Sequence, residues 1–395
     1  MAKLRLKDLD LQGKRVFLRV DFNVPLEEEL EIRDDTRIKA ALPTLNYLLE
    51  QKTKLTISSH LGRPGGQYDP KLSLKPVAER LSDYISPEVL LAPDVIGDQV
   101  TKLKKALKES QVLLLENLRF NPGEKANDLS FAQELAQDID YYVNDAFGAC
   151  HRAHASVVGI TEYVEKSAAG FLVEKEVEYL GKAVHSPQKP YVAILGGAKV
   201  SDKIPVIENL LNKADDILIG GAMAYTFFKA MGNEVGRSRV EEDKIALALS
   251  LLEKAQAQGI KIYLPEDHVV STAIDNEAEA KTVDSFPFSA GLMGLDIGAK
   301  TIQKYQEIIA KAQTIFWNGP LGVFEIEQFS LGTMKIAAAV AASPALSIIG
   351  GGDSVAAVYK AGVSDKISHI STGGGASLEY LAKETLPGLE ALTEK

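Results

Sequence analysis

The chain has 395 residues, of which 46% are hydrophobic and 25% charged, with a formal net charge of −10. This length favours two domains in an ordinary globular protein, and the negative charge argues against nucleic acid or an anionic membrane as the main partner. The single Cys150 excludes an internal disulfide, and no stretch has the length and hydropathy of a membrane span. The first 20 residues carry charges throughout and show no signal peptide, so we expect a cytoplasmic protein.

Short β-branched or leucine-rich runs alternate with helix-length segments along the chain, a pattern typical of parallel α/β construction. Within each run apolar and polar residues hardly alternate, as expected for strands that are covered on both faces. We predict strands at 15–20, 54–58, 112–115, 141–143, 191–195, 216–219, 261–264, 314–317 and 346–349. We predict helices at 37–51, 203–213, 241–257 and 297–312.

Polar and basic residues follow the predicted strands of the first half, at the sheet edge where α/β proteins bind ligands. An arginine fork binds phosphate or carboxylate in a bidentate manner, and Asn or Asp can hold hydroxyl groups. One such arginine alone would be read as a surface ion pair, but five basic residues together indicate a small phosphorylated acid or acidic sugar phosphate. The set comprises Asp21, Asn23, Arg37, His60, Arg63, Arg119 and Arg152.

A helix with apolar residues at helical spacing is predicted at 171–184, before the Pro-containing segment that opens the second half. The chemistry of the strand ends changes on either side of it. We therefore interpret it as the connector between two domains, and the alternative is an ordinary surface helix of one domain.

Glycines follow the strands of the second half, as Gly196-Gly197, Gly220-Gly221, Asn318-Gly319-Pro320 and Gly350-Gly351-Gly352. They indicate a half-site for a nucleotide. Lys199 and Lys203 are four residues apart, so a helix beginning there would put both amines on one face, where an anion would relieve their repulsion. A solvated basic turn is the alternative. The segment is not a Walker A loop, and the protein-kinase motifs are absent from the sequence.

Three adjacent glycines, Gly373, Gly374 and Gly375, stand between an apolar run and a predicted helix. Their amides and the positive end of the helix dipole suit an anion such as phosphate, although a tight turn alone would also explain them. Asp353 could hold Mg²⁺ beside a nucleotide or serve as a helix N-cap. Glu325 could accept from ribose hydroxyls or be merely solvated. Cys150 beside His151 makes a weak zinc or nucleophile motif and is better explained as a packed small residue.

Taken in order, the motifs resemble those of the phosphoglycerate kinase family over essentially the whole chain. In the first half they are the segments 19–25 (RVDFNVP), 35–38 (DTRI), 59–64 (SHLGRP), 116–120 (ENLRF), 144–148 (NDAFG) and 151–154 (HRAH). In the second half they are 196–200 (GGAKV) with Asp202 and Lys203, 317–320 (WNGP), 350–353 (GGGD) and 371–376 (STGGGA).

The resemblance implies an α/β fold of two Rossmann-like domains with mainly parallel sheets, joined by a hinge helix that bends. It implies a phosphoglycerate-binding domain at 1–170, the hinge at 171–185, a nucleotide-binding domain at 186–375, and a C-terminal helix at 376–395 that packs back on the first domain. It also implies ATP + 3-phosphoglycerate ⇌ ADP + 1,3-bisphosphoglycerate, with Mg²⁺, in a monomer.

Residue by residue, the resemblance gives three groups of site residues. The phosphoglycerate group is Asp21, Asn23, Arg37, His60, Arg63, Arg119 and Arg152. The nucleotide group is Lys203, Gly294, Glu325, Gly351, Gly352, Asp353 and Ser354, with Asp353 as the Mg²⁺ ligand, and we add Gly196, Gly197 and Asn318 to it. The group around the transferred phosphoryl is Arg37, Lys199 and Lys203 with the amides of Gly373, Gly374 and Gly375.

Two other functions fit the sequence less well. A two-domain NAD-dependent dehydrogenase would need a G-x-G-x-x-G segment with an acidic residue about 20 positions on, and the sequence has none. A non-catalytic clamshell binding protein of the periplasmic type would have a signal peptide and no need for paired lysines.

Overall fold

The computed structural model describes residues 2–27 and 29–395. The chain divides into two compact units, the first formed by Met1–Glu178 with Thr385–Lys395 and the second by Tyr179–Glu384. The division falls inside the predicted connector helix, which the structure places at Phe171–His185. The domain limits and the hinge role of this helix remain predictions.

A parallel sheet forms the centre of the first unit, and among the described residues it has six strands in the order β3-β4-β2-β1-β5-β6. The strands are β1 (Arg15–Val20), β2 (Lys54–Ser58), β3 (Val89–Leu91), β4 (Val112–Leu114), β5 (Tyr141–Asp145) and β6 (Lys166–Ala169). The helices are α1 (Thr36–Glu50), α2 (Lys75–Ser82), α3 (Asp98–Ala106), α4 (Pro122–Ala126), α5 (Leu129–Ala136) and α6 (Phe171–His185).

The core of the first unit forms where α1 covers the sheet. Ile38, Leu45 and Leu48 of α1 are fully buried and belong to the same apolar cluster as Val16 and Leu18 of β1. The spacing of the α1 residues puts them on one helical face, whereas β1 is buried on both faces. This packing fixes the carboxyl end of β1 beside the first turn of α1.

A second parallel sheet forms the centre of the second unit, with the described strands in the order β15-β14-β13-β7-β8-β9, beside a small antiparallel sheet in the order β11-β10-β12. The strands are β7 (Tyr191–Leu195), β8 (Asp216–Ile219), β9 (Lys261–Tyr263), β10 (His268–Ser271), β11 (Lys281–Val283), β12 (Met293–Ile297), β13 (Thr314–Asn318), β14 (Leu346–Gly350) and β15 (His369–Ile370). The helices are α7 (Ile204–Leu210), α8 (Met223–Ala230), α9 (Ile245–Gln258), α10 (Ala299–Ile309), α11 (Leu331–Ala342), α12 (Gly352–Lys360) and α13 (Gly375–Lys383).

The predicted α/β class with mainly parallel sheets is confirmed. Each predicted strand is present, and the residue at which it ends differs from the prediction by two positions at most. The strands β3 and β6 and the small antiparallel sheet were not predicted from the sequence. The family resemblance implied one helix over 376–395, where the structure has α13 and then α14 (Pro387–Glu390). Glu384 adopts a left-handed conformation with φ of 66° and ends α13, and Pro387 opens α14. Among the described residues, every helix is too short or too polar to span a bilayer.

The two chain ends lie together at the edge of the first sheet. The Leu4 amide donates to the carbonyl of Thr393 over 2.8 Å, and the Thr393 amide donates to the carbonyl of Ser167 in β6 over 3.0 Å. Residues near the C-terminus thus pack as part of the first unit, after 206 residues that form the second.

Candidate functional site

In the first unit, the strand order places the ends of β4, β2, β1 and β5 side by side. The residues that come directly after these strands therefore meet at one edge of the sheet. Asp21 and Asn23 come after β1, His60 after β2, and Arg119 lies in a short 3₁₀ turn after β4. This edge of the first sheet, with Arg37 from the first turn of α1, is the basic cluster predicted from the sequence.

Asp21 and Asn23 organise the centre of the basic cluster. The Arg37 guanidinium donates to the Asp21 carboxylate over 2.8 Å, with 38% of the Arg37 side chain exposed. The Asn23 side-chain oxygen accepts from the Gly62 amide over 2.8 Å. Gly62 has φ of +59°, so a residue with a side chain would be strained in this turn. Arg37 is thus oriented by a carboxylate while nearly two fifths of its side chain stays accessible to a ligand.

Arg119 is the most buried of the predicted arginines. Its Nη1 donates to the Gly62 carbonyl over 2.6 Å, whereas its Nε is buried with no partner within residues 2–27 and 29–395. Burial, together with the charges of Arg152 and Arg19, lowers the pKa of Arg119 to about 10, so the side chain stays charged at neutral pH. A buried N–H without a partner, in a field of positive charge, fits an anionic ligand.

The other two predicted arginines lie at the surface. Arg63 and Arg152 are exposed, and the Arg152 Nε donates to His151 Nε2 over 2.9 Å. The basic cluster therefore has a buried part and an accessible part, which is how a site that admits a solvated anion from water would be built.

His60 differs from its prediction as a basic residue. It is 7% exposed, and burial together with the charges of Arg19, Arg119 and Arg37 holds its pKa well below the ordinary value. It is neutral at physiological pH, so its contribution to an anion site is a hydrogen bond and not a charge.

Behind the basic cluster lies a buried network that the sequence analysis missed. Arg19, 1% exposed, donates from Nε to the Ser156 hydroxyl over 2.9 Å, and that hydroxyl donates to Glu124 over 2.7 Å. His154 Nδ1 lies 3.6 Å from the same carboxylate. The signal available was Arg19 itself, a charged residue inside an otherwise apolar strand run. Glu124, on a helix of five residues, gave none.

In the second unit, the glycine corners after β7 and β13 pack directly on each other. The Gly196 amide donates to the Asn318 carbonyl over 3.0 Å, and the Gly197 amide donates to the Pro320 carbonyl over 2.9 Å. A Cβ at Gly196 would lie 2.1 Å from the Pro320 carbonyl oxygen. The close approach of the two backbones is therefore enough to require a glycine at position 196, whether or not this corner binds a ligand.

Lys199 and Lys203 do not share a helical face, which corrects the sequence-based expectation. The helix α7 begins at Ile204, with Pro205 in its first turn and Lys203 at the cap position. Lys199 is exposed, whereas Lys203 is 9% exposed and its amine donates to the Asn318 side-chain oxygen. Burial lowers the pKa of Lys203 to about 8, with Asp202 and Asp353 opposing the shift. Lys203 is the buried cation of this unit's candidate site.

Asp353 and Ser354 lie in the first turn of α12. Gly351, with φ of +90°, occupies the cap position, so Asp353 is not the N-cap that the sequence left open. Ser354 is buried and accepts from the Gly319 amide, whereas Asp353 is exposed. Among the described residues no group of three metal-ligating side chains occurs. A single carboxylate still fits Mg²⁺, which is usually held by one or two carboxylates plus substrate oxygens.

The three glycines at the start of α13 already make some hydrogen bonds within the protein. The Gly373 amide donates to the Ser371 hydroxyl over 3.1 Å, so one of the three predicted amides already has a partner. Gly374 is the cap residue with φ of +53°, and a Cβ at Gly374 or Gly375 would meet no atom within 4 Å. These two positions face open space at a helix start, as an anion site requires.

Gly294 and Glu325 have different environments. Gly294 lies in β12, where a Cβ would be 1.7 Å from the Tyr225 hydroxyl, and its amide donates to the Ser238 hydroxyl over 3.0 Å. The Tyr225 ring is held in turn by a hydrogen bond of 3.2 Å between its hydroxyl and His268 Nδ1. Glu325 is exposed. Gly294 is thus needed for the packing of Tyr225, and Glu325 is accessible to a ligand.

His268 should make the second unit less stable in acid. It is 1% exposed among Phe228, Phe286 and Phe288, and burial lowers its pKa to about 4. Between pH 6.5 and that value the unfolded chain binds a proton that the folded chain does not, so stability is full above pH 6.5 and falls below it. In His268→Phe we expect the slope of unfolding free energy against pH to fall by about 1 kcal/mol per pH unit between pH 6 and 4.5.

Urea unfolding followed by the fluorescence of Trp317 in β13 measures this slope in the second unit. Equal slopes for the two proteins would contradict a neutral buried His268.

The chain matches known proteins over its full length. The sequence model described as "Phosphoglycerate kinase" matches residues 6–384. The phosphoglycerate kinase of Anaeromyxobacter dehalogenans (strain 2CP-C) is 56% identical over 396 residues, and that of Koribacter versatilis (strain Ellin345) is 58% identical over 403 residues, with 100% of each chain covered in both cases.

Solved structures agree with these sequence relatives. The phosphoglycerate kinase of Coxiella burnetii matches with a TM-score of 0.91 and 42% identity, and that of Pyrococcus horikoshii OT3 with a TM-score of 0.86 and 38% identity; each match covers 98% of both chains. Neither the dehydrogenase nor the clamshell alternative is supported. The chain belongs to the phosphoglycerate kinase family, whose enzymes exchange a phosphoryl group between ATP and the carboxylate of 3-phosphoglycerate.

Proposed function

We propose that the basic cluster of the first unit holds 3-phosphoglycerate and that the glycine corners of the second unit hold the nucleotide. The observation that carries the proposal is Arg119, a buried guanidinium with an N–H that has no partner in the described chain. The proposed phosphoglycerate residues are Asp21, Asn23, Arg37, His60, Arg63, Arg119 and Arg152. The proposed nucleotide residues are Gly196, Gly197, Lys203, Gly294, Asn318, Glu325, Gly351, Gly352, Asp353 and Ser354.

The acceptor in this reaction is a carboxylate, which is already ionised at neutral pH because its pKa lies about three units lower. The reaction therefore needs no general base. Catalysis then consists of holding the reactants in line and compensating the negative charge that spreads over the transferred phosphoryl. Arg37, Lys199, Lys203 and the amides at Gly373, Gly374 and Gly375 are the groups we assign to that charge. Lys203 is suited to it because its amine is buried, and a charge acts more strongly where water is excluded.

Asp353 is the residue that would hold Mg²⁺. The bound ion would neutralise charge on the nucleotide phosphates. The exposed carboxylate of Asp353 would then bind the metal ion. The nearby buried amine of Lys203 would bind the negatively charged phosphate oxygens of the same nucleotide.

We also propose that the enzyme acts as a monomer in the cytoplasm. Its negative net charge and its single buried cysteine fit a reducing compartment without a nucleic-acid or membrane partner. Light scattering after gel filtration should give the mass of one chain, and a dimer would contradict the monomer.

Arg119→Met should weaken phosphoglycerate binding selectively. Loss of a charged hydrogen-bonding group costs about 1.5–3 kcal/mol, which corresponds to a rise of roughly 10–100-fold in KM for 3-phosphoglycerate. Initial rates of ADP formation from ATP over a range of 3-phosphoglycerate concentrations measure this KM. The exposed Arg237 of the second unit gives the matched control, Arg237→Met, which should behave as the wild type. A variant at Arg119 with an unchanged KM would contradict the assignment.

The pH dependence of kcat/KM for ATP should report Lys203. Because its pKa is lowered to about 8, the amine is charged at pH 7 and loses its charge as the pH rises past that value. We expect kcat/KM to fall above about pH 8, approaching tenfold per unit. Lys203→Arg keeps a positive charge at higher pH, so this limb should move beyond pH 10 even if the maximal rate is lower. If the fall of kcat/KM stays near pH 8 in Lys203→Arg, it must be due to the titration of another group.

A further inference from the structure

We infer that Arg19 and Glu124 are positioning residues that fix His60 as a neutral ring with its proton on Nε2. The ring then presents one N–H donor to the ligand of the basic cluster. The identity of that ligand rests on the proposed function, whereas the state of the ring depends only on contacts within the protein.

The tautomer is determined by the neighbours of Nδ1. Arg19 Nη2 lies 3.2 Å from His60 Nδ1, and a guanidinium can only donate, so Nδ1 must be the acceptor. The nearest carboxylate oxygen, on Asp21, is 4.0 Å from Nδ1 and too far to accept a hydrogen bond from it. A proton on Nδ1 would face the N–H of Arg19. The proton of the neutral ring is therefore on Nε2, for which no acceptor occurs among the described residues.

Arg19 itself is held by three partners. Its Nε donates to the Ser156 hydroxyl over 2.9 Å, its Nη1 donates to the Val20 carbonyl, and its Nη2 donates to His60. The Ser156 hydroxyl accepts from Arg19 and donates its own proton to Glu124 over 2.7 Å. The two hydrogen bonds from Arg19 to Ser156 and from Ser156 to Glu124 run in the same direction. With the bonds to Val20 and His60, they hold the guanidinium in one orientation.

Glu124 supplies the charge that a buried Arg19 requires. It is fully buried, which alone would raise its pKa, but the hydrogen bond from His154, the charge of Arg19 and the Ser156 hydroxyl hold that pKa below its ordinary value. Its other oxygen accepts from the Ser156 amide over 2.9 Å. Without this carboxylate, the buried charge of Arg19 would lose the counter-charge that it reaches through Ser156.

Burial, together with the charged groups around the ring, holds the pKa of His60 well below its ordinary value. Arg19, Arg119, Arg37 and His154 oppose its protonation, and Asp21 is the carboxylate that favours it. A ring in this state accepts no second proton near neutrality and so offers the same donor from pH 6 to 8. The Nε2–H of His60 would donate a hydrogen bond to an oxygen of the ligand, on a carboxylate, phosphate or hydroxyl group.

Long-range ¹H–¹⁵N correlation NMR of the ligand-free enzyme tests the tautomer directly. His60 signals, assigned by comparison with His60→Gln, should show a protonated Nε2 and a bare Nδ1, unchanged from pH 8 to pH 5.5. An imidazolium at pH 6, or a proton on Nδ1, would overturn the inference. This measurement involves no substrate, so its result stands apart from the proposed function.

Variants then test the positioning role. Arg19→Lys keeps the charge but loses the three-partner fork, and Glu124→Gln keeps the shape but removes the counter-charge. In both we expect a mixed His60 tautomer and a rise of roughly 2–10-fold in KM for 3-phosphoglycerate, with kcat and KM for ATP within about twofold, because one neutral hydrogen bond is affected. The exposed Arg237→Lys, with wild-type signals and KM, is the control.

The outcomes separate the two ideas. Wild-type His60 signals in both variants, whether or not their thermal stability falls, would show a merely structural network and overturn the inference. A changed tautomer with an unchanged KM, and an unchanged KM in His60→Gln, would uphold the positioning of the ring and contradict its place in the proposed phosphoglycerate site.

Discussion

Lys203→Ala and Arg37→Ala are each expected to lower kcat by roughly 10²–10⁴-fold, because each removes a charge that we propose acts mainly in the transition state. Lys203 is buried and keeps its amine near Asn318, and Arg37 is oriented by Asp21, so neither charge has to be rearranged when the phosphoryl is transferred. Steady-state rates at saturating ATP and 3-phosphoglycerate measure kcat directly.

Two further lysine variants sharpen this test. Lys199→Ala should cost less than Lys203→Ala, since the Lys199 amine is exposed and its charge is screened by water. Lys254→Ala removes an exposed lysine that pairs with Glu208, outside the proposed site, and should leave kcat unchanged. Near wild-type kcat in both Lys203→Ala and Arg37→Ala would refute the assignment of these two residues.

Gly196→Ala is expected to destabilise the second unit by about 3 kcal/mol or more, the upper range for overpacking of a dense interior. The added Cβ would meet the carbonyl oxygen of Pro320 at 2.1 Å and that of Gly319 at 2.7 Å. Both are backbone atoms, so relief requires the corners after β7 and β13 to move apart. Urea unfolding followed by Trp317, which lies in β13 and is the single tryptophan, reports this unit.

Gly291→Ala is the matched control, because a Cβ there would meet no atom within 4 Å and its φ lies outside the range that disfavours side chains. Its stability should stay within about 1 kcal/mol of the wild type. If Gly196→Ala were equally mild, the glycine would have to be explained by ligand binding and not by packing.

Strands buried on both faces could be predicted from the sequence, because most positions in such a strand are apolar and hardly alternate with polar ones. The bounds of β1, β2, β7 and β8 match the prediction. The small antiparallel sheet could not be predicted in this way. Its strand β11 has three residues, none of them buried, and a short exposed strand has no distinctive pattern.

Some residues of the candidate site could be predicted because their position follows from the direction of the strands alone. Parallel strands bring their carboxyl ends to one edge, so Asp21, His60 and Arg119 could be identified from their places directly after predicted strands. Their states could not be predicted. The neutral form of His60 depends on Arg19, and the counter-charge of Arg19 comes from Glu124, which is 105 residues away in sequence and linked only through a serine hydroxyl.

The lysine pair shows a different limit. The spacing of Lys199 and Lys203 suggested a shared helical face, but Pro205 fixes the helix start after Lys203. One amine is then exposed and the other buried, and the two are no longer equivalent in charge or access.

The contacts of Thr393 with Leu4 and Ser167 bear on the order in which the protein folds. The carbonyl of Thr393 accepts the amide of Leu4, and the amide of Thr393 reaches β6 at Ser167. Ser167 and Thr393 are 226 residues apart in the sequence, and Leu4 and Thr393 are farther apart still. Closing this edge of the first sheet therefore carries the entropic cost of a very long loop, so we expect these contacts to form late in folding, after the more local strand pairs of both units.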